Sequence, residues 1–140
     1  MAGKMQTRNI QKFSNELKQC IECGNCTFWC PIYQQRPQEE YVARGKNKIV
    51  RSLLDGRKEY TPEVVDILGM CTLCGTCAQH CPVGSKFQSI IISARADKTK
   101  SKGIGFPMGL IYRQLIPRRK LFGAALRAAS FFQKILLPKA

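Results

Sequence analysis

All eight cysteines of the chain fall in two runs, Cys20-Ile21-Glu22-Cys23-Gly24-Asn25-Cys26-Thr27-Phe28-Trp29-Cys30-Pro31 and Cys71-Thr72-Leu73-Cys74-Gly75-Thr76-Cys77-Ala78-Gln79-His80-Cys81-Pro82. Each run reads C-x-x-C-G-x-C-x-x-x-C-P. Three thiolates spaced this closely can wrap one face of a cubane iron–sulfur cluster, with the backbone N–H groups of the short loop turned toward its sulfurs. The fourth cysteine precedes a proline, which fixes φ and offers no N–H, so the chain turns away after it. Two such runs predict two [4Fe-4S] clusters, and with them single-electron chemistry.

Other uses of cysteine fit less well. Structural zinc sites also use C-x-x-C pairs, but they separate the two pairs by a longer loop. A [3Fe-4S] centre signals a missing ligand, and none is missing here. A disulfide framework would disperse its cysteines, and the N-terminal stretch Met1 to Arg8 has no apolar signal-peptide core. Reduced thiols in the cytoplasm are the expectation. In the rule for these runs the fourth cysteine serves the other cluster. That rule, and not the spacing itself, gives Cys20, Cys23, Cys26 and Cys81 to cluster I and Cys71, Cys74, Cys77 and Cys30 to cluster II. Gly24 and Gly75 are expected to keep a Cβ away from the inorganic core. Trp29 and His80 hold equivalent places before the fourth cysteines. A shielding or potential-tuning role is open to them, but the plainer reading is packing or surface.

The elements that position these runs are helical. Residues 1–8 are polar and read as a frayed end. Ile10, Phe13 and Leu17 follow helical spacing over Asn9 to Lys18 and lead into Cys20. Gln34 to Glu40 reads as a loop. Residues 43–54 predict a helix with Ile49, Val50, Leu53 and Leu54 on one side and Gly56 at its end. Thr61-Pro62-Glu63 is a helix start, and the helix carries Val64, Val65, Ile67 and Leu68 into Cys71. Residues 86–96 predict another helix, with Phe87, Ile90, Ile91 and Ala94 inward. No alternation argues for a sheet. Adding 51 to each residue number of the first cysteine run gives the second, and the register extends upstream to Phe13/Val64 and Leu17/Leu68. The fold predicted is mainly α: an α-helical ferredoxin with two clusters related by approximate symmetry, followed by a helical tail.

Charge divides the chain in the same place. Residues 1–97 hold thirteen Lys/Arg and nine Asp/Glu, 13 − 9 = +4, whereas residues 98–140 hold ten Lys/Arg and no acid. The expected organisation is a dicluster domain over 1–97 and a basic docking tail over 98–140. Lys98 to Gly103 reads as a mobile linker, and 104–116 is apolar but broken by Gly105, Pro107 and Gly109. Residues 120–137 read as an amphipathic helix. Lys120, Arg127 and Lys134 form a basic stripe opposite Leu121, Phe122, Ala125, Ala129, Phe132 and Leu136. No run reaches the roughly 18 uncharged apolar residues of a membrane span.

The chain has no Gly-rich dinucleotide fingerprint and no P-loop, and its one histidine neighbours a committed cysteine, so a substrate-binding active site is not expected. The cysteine runs, with Gly45-Lys46-Asn47-Lys48-Ile49-Val50-Arg51 and Cys81-Pro82-Val83-Gly84, resemble two iron–sulfur families. One is the C subunit of heterodisulfide reductase. The other is the N-terminal module of the glycolate oxidase iron–sulfur subunit and its anaerobic glycerol-3-phosphate dehydrogenase relatives. The resemblance covers about residues 10–97, and the tail stretches Leu110 to Pro117 and Lys120 to Phe122 look more like the glycolate oxidase subunit. It implies an electron relay between a flavin-containing subunit and a cysteine-rich (CCG) domain or another acceptor, with any disulfide or quinone chemistry on a partner. Residues 98–140 are expected to dock that partner. A membrane surface is the second reading for the tail, giving a cytoplasmic protein that can sit on the inner membrane face. Nucleic acid ranks below both, because the tail aromatics look like packing residues.

Overall fold

A computed structural model describes residues 9–136; the expectation for residues 1–8 lies outside them, as do the side chains of Phe132, Lys134 and Leu136 in the tail stripe. Among the described residues there are helices and turns but no strand. They divide into two compact units that meet between Lys102 and Gly103.

The first unit is built round a central helix, Ala43–Leu54. Its Ile49, Val50 and Leu53 are buried at helical spacing, and Lys46 and Asn47 extend the same stripe one turn earlier. Against it pack the N-terminal segment, the Pro62–Gly69 helix and the Phe87–Lys102 helix. The N-terminal segment is a 3-10 turn, Ile10–Phe13, continuing into Ser14–Lys18. Ile10, Leu17, Val64, Ile67, Leu68, Phe87, Ile90, Ile91 and Ala94 close the core. Burying each large side chain is worth about 1.5–3 kcal/mol relative to leaving it in water.

Helix ends follow local chemistry. The Thr61 hydroxyl accepts the Val64 N–H at 3.3 Å and Pro62 occupies the first turn, as the sequence indicates. Gly56, at φ 72°, follows the central helix. Gly45 has a different task. A Cβ there would run into the Glu39 carbonyl, so only glycine lets the central helix lie against the Glu39–Tyr41 turn.

Two expectations need correction. Gln34 to Glu40 is not a plain loop: Pro31 opens a short helix, Pro31–Gln35, and Glu39–Tyr41 forms a 3-10 turn. Lys98 to Lys102 is not a linker either, because the helix begun at Phe87 runs on to Lys102. The reason is Asp97, which continues the inward stripe of Phe87, Ile90, Ile91 and Ala94 and is 1% exposed. Its carboxylate accepts the backbone N–H groups of Asn9 and Ile10 and the Asn9 side-chain amide at 2.6–3.0 Å. No glycine or proline interrupts the helix before Gly103, at φ 71°, and Lys100 and Lys102 in its last turn suit the negative end of the helix dipole.

The second unit contains a short turn, Met108–Leu110, that passes into a π-helical turn, Ile111–Leu115, and then the Arg119–Leu136 helix. Within it Leu121, Phe122, Leu126 and Phe131 are exposed. Among the described residues no helix is long and apolar enough to cross a membrane.

Candidate iron–sulfur centres

Both cysteine runs have one backbone. Glu22 and Leu73 stand at φ 57°, and Gly24 and Gly75 at 81° and 83°. One-turn helices, Asn25–Phe28 and Thr76–Gln79, follow. Left-handed residues alternating with ordinary ones turn successive N–H groups to one side, the concavity that receives anions and cluster sulfurs. A non-glycine residue in that region costs on the order of 1–3 kcal/mol and needs its surroundings to hold it. Here the holders are side chains: Arg44 donates to the Glu22 carbonyl at 3.2 Å, and Gln88 to the Leu73 carbonyl at 3.5 Å.

The glycines have close protein neighbours as well. A Cβ on Gly24 would meet the Arg44 guanidinium, 3.0 Å away, and one on Gly75 the Gln88 side-chain amide. Their positive φ by itself calls for glycine, and both glycines also border the cysteine cavities.

The two loops open onto two cavities. The first is lined by Cys20, Cys23, Cys26 and Cys81, the second by Cys30, Cys71, Cys74 and Cys77. Cys77, Ala43 and Phe87 line both, forming a shared wall. None of the eight cysteines is in a disulfide. No three Cys, His, Asp or Glu side chains among the described residues converge on the place of one metal ion; the thiols are instead distributed round each cavity. Soft sulfur donors round each cavity, five at the first and four at the second with Cys77 counted in both, together with backbone N–H groups on the same loops, fit a polynuclear iron–sulfur group. Cys23 and Cys74 are the exposed cysteines of their runs.

Electrostatics separates the two sites. Burial pushes the Cys77 thiol up to about 12, helped by the neighbouring charges of Cys71, Cys26, Cys74 and Cys30. Burial also raises Cys26, against the pull of Arg44. Cys74 is lowered, chiefly by the Thr76 hydroxyl, 3.5 Å from its sulfur. Crowded thiols of this kind hold their protons until a metal takes their place.

Several residues here were not read as site residues from the sequence. Lys46 is 1% exposed, lines the second cavity and donates to the Tyr41 carbonyl. Burial lowers its pKa, while the charges of Cys71, Cys30 and Cys77 raise it. Arg95 donates to the carbonyls of Leu68, Gly69 and Cys71. Asn47 serves the equivalent Leu17 carbonyl at 3.1 Å. The readable signal was position: Lys46 and Asn47 fall on the apolar stripe of their helix, where a polar residue is out of place.

A family model for the 4Fe-4S dicluster domain matches residues 16–85, half of the chain. The chain belongs to that family. It carries two [4Fe-4S] clusters. It is 29% identical over 111 residues to the glycolate oxidase iron–sulfur subunit of Escherichia coli, covering 77% of this chain and 27% of the relative. It is 33% identical over 106 residues to the D subunit of the dihydromethanophenazine:CoB–CoM heterodisulfide reductase of Methanosarcina barkeri, covering 64% and 25%. To the C subunit of the H2:CoB–CoM heterodisulfide,ferredoxin reductase of Methanothermobacter thermautotrophicus it is 32% identical over 89 residues, covering 62% and 43%. This dicluster chain thus spans about a quarter of the first relative and less than half of the last. No solved structure matches it.

Proposed function

We propose that this chain is an electron-transfer subunit of a multi-subunit, flavin-linked oxidoreductase. The observation that carries the reading is the pair of cysteine-lined cavities that share a wall at Cys77, Ala43 and Phe87. In this reading Cys20, Cys23, Cys26 and Cys81 hold one cluster, and Cys71, Cys74, Cys77 and Cys30 the other. A bound [4Fe-4S] cluster supplies reversible one-electron chemistry. The chain fixes the thiolates, strains Glu22 and Leu73 so that N–H groups face the sulfurs, and shields both sites with Phe87 and Ala43. The relatives named as iron–sulfur subunits of glycolate oxidase and as heterodisulfide reductase subunits support partner subunits in an oxidoreductase complex; that one of them binds flavin or carries a CCG domain is part of this proposal. Anaerobic reconstitution with iron and sulfide should give about eight of each per chain, from two cubanes. Cys81→Ala should disturb the cluster of the first run and Cys30→Ala that of the second. Stoichiometric zinc with no reducible chromophore would refute the reading.

We place the division of labour at the end of the Phe87–Lys102 helix: clusters before it, docking after it. Truncation after Lys102 should keep both clusters and lose the partner subunit on anaerobic co-purification. Retained assembly would remove the docking role. A second reading, attachment to an anionic membrane surface, is favoured by Leu121, Phe122 and Leu126 standing exposed beside Arg119, Lys120 and Arg127. It requires salt-sensitive co-sedimentation with anionic vesicles.

A further inference from the structure

Cations stand beside both cavities, but they differ in what neutralises them. At the first cavity, Arg44 forms a two-pronged ion pair with Glu39, Nε–Oε1 2.5 Å and Nη2–Oε2 2.6 Å. Glu22, which lines the same cavity, is paired with Lys48 at 2.9 Å. All four side chains are partly exposed, so solvent screens what the pairs leave over. The second cavity has no Asp or Glu in its lining. Its Lys46 is sealed from water and has no carboxylate partner among the described residues. The Tyr41 carbonyl that accepts from Lys46 also lies 3.9 Å from the Cys30 sulfur, which places the ammonium beside a proposed ligand. Arg95 adds a second cation, bonded to the carbonyl of Cys71 at 2.5 Å. The Thr76 hydroxyl reaches the Cys74 sulfur; at the equivalent place in the first run Asn25 instead donates to the His80 carbonyl.

Resting on the two-cluster reading, we infer that the second cavity is the higher-potential site, set there by Lys46 and Arg95. Reduction adds one negative charge to a cluster. A buried, uncompensated cation a few ångströms away favours the reduced form strongly, because neither water nor salt screens it. Donors to cluster sulfurs act in the same direction. The compensated pairs at the first cavity largely cancel. One electron at the first site therefore moves to the second: the first site is oxidised by one electron and the second reduced by one. Lys46 and Arg95 thus fix the direction of the relay, with the acceptor end at Cys30, Cys71, Cys74 and Cys77.

The test is a stepwise anaerobic reduction of the full chain, followed by the paramagnetic signals of the reduced clusters. Iron and sulfide analysis comes first; absence of two clusters would sink the reading of the previous section and not this ordering. With two clusters present, the signal that appears first should be altered by Cys74→Ser and untouched by Cys23→Ser. Lys46→Met should disfavour reduction of that site at least tenfold, about 59 mV for one electron. Lys46→Arg should restore most of it, and Glu39→Gln should raise the first site and narrow the gap. The inference is overturned if the first signal follows Cys23→Ser, or if a folded Lys46→Met protein keeps its potentials. If Lys46→Met fails to fold, the order of reduction in the Cys23→Ser and Cys74→Ser proteins decides alone.

Discussion

Trp29 and His80 stack face to face, ring centroids 4.0 Å apart and planes 8° from parallel. They occupy equivalent positions of the two cysteine runs, so the approximate symmetry axis passes between two aromatic rings. Trp29 lines the second cavity, and the Asn25 side chain donates to the His80 carbonyl at 2.6 Å, tying the first run to the second. Each ring is thus the other's packing partner, and Trp29 adds a wall to the second cavity.

An aromatic pair of this kind is worth about 0.5–1.5 kcal/mol beyond area burial. Trp29→Ala, His80→Ala and the double variant should show coupling of that size in the denaturant dependence of cluster loss, followed by visible absorbance. Trp29→Ala should also speed oxygen bleaching of one cluster more than the other, since it opens the second cavity. Additive effects within about 0.3 kcal/mol would show that the stack contributes nothing.

Gly24 and Gly75 look interchangeable in sequence, yet their surroundings differ. Alanine at either forces a left-handed residue, costing roughly 1–2 kcal/mol. At Gly24 the new Cβ also presses on Arg44, which Glu39 holds from the other side; at Gly75 it meets the tip of the flexible Gln88 side chain, held only by its 3.5 Å bond to the Leu73 carbonyl. Gly24→Ala should therefore lose iron to a chelator faster than Gly75→Ala, and Gly24→Asn should fall between Gly24→Ala and the unmodified chain, because asparagine tolerates the left-handed region. Equal retention by all three proteins would mean that φ is not limiting.

The two cysteine runs, their repeat and the bounds of the Ala43–Leu54 helix were legible because each depends on local spacing. What was not legible depends on contacts between distant segments. Gln34 to Glu40 looked like a loop because it is polar, but the Glu39 carbonyl lies against Gly45 of the central helix, and the Tyr41 carbonyl just beyond accepts from Lys46. The Phe87–Lys102 helix was stopped short because Lys98 to Lys102 is charged, although Asp97 anchors its register to Asn9 and Ile10, far away in sequence. Arg44 and Gln88 share no residue type, so no repeat search pairs them. Only the Glu22 and Leu73 carbonyls they serve reveal the equivalence.

Tyr60 gives the protein a pH dependence on the alkaline side. It is 2% exposed, and its hydroxyl has no hydrogen-bond partner among the described residues. Burial, and then the nearby Asp97 carboxylate, push the phenol well above its ordinary value. An unfolded tyrosine ionises near about pH 10. Above that pH the unfolded chain gives up a proton that the folded chain keeps, so stability falls as pH rises; below it the group contributes no slope. The loss approaches about 1.4 kcal/mol per pH unit at most. Tyr60→Phe should change stability little near neutrality and flatten the decline between about pH 10 and about pH 11. Parallel declines in both proteins, measured by denaturant midpoints, would contradict this.

Removing the iron should expose a second difference between the two runs. Thiolate, not thiol, reacts with iodoacetamide, so labelling follows both access and proton affinity. Cys74 is exposed and its pKa is lowered, chiefly by the Thr76 hydroxyl. Cys77 is held up at about 12 by burial and by its neighbouring thiolates. In chain stripped of iron under reducing conditions, mass spectrometry should find Cys74 labelled at least about tenfold faster than Cys77 near neutral pH. Thr76→Val should slow Cys74 and leave Cys77 unchanged, because only Cys74 loses a hydrogen bond. Equal labelling of the two would show that the metal-free chain does not keep this arrangement, and that the clusters create the cavities they occupy.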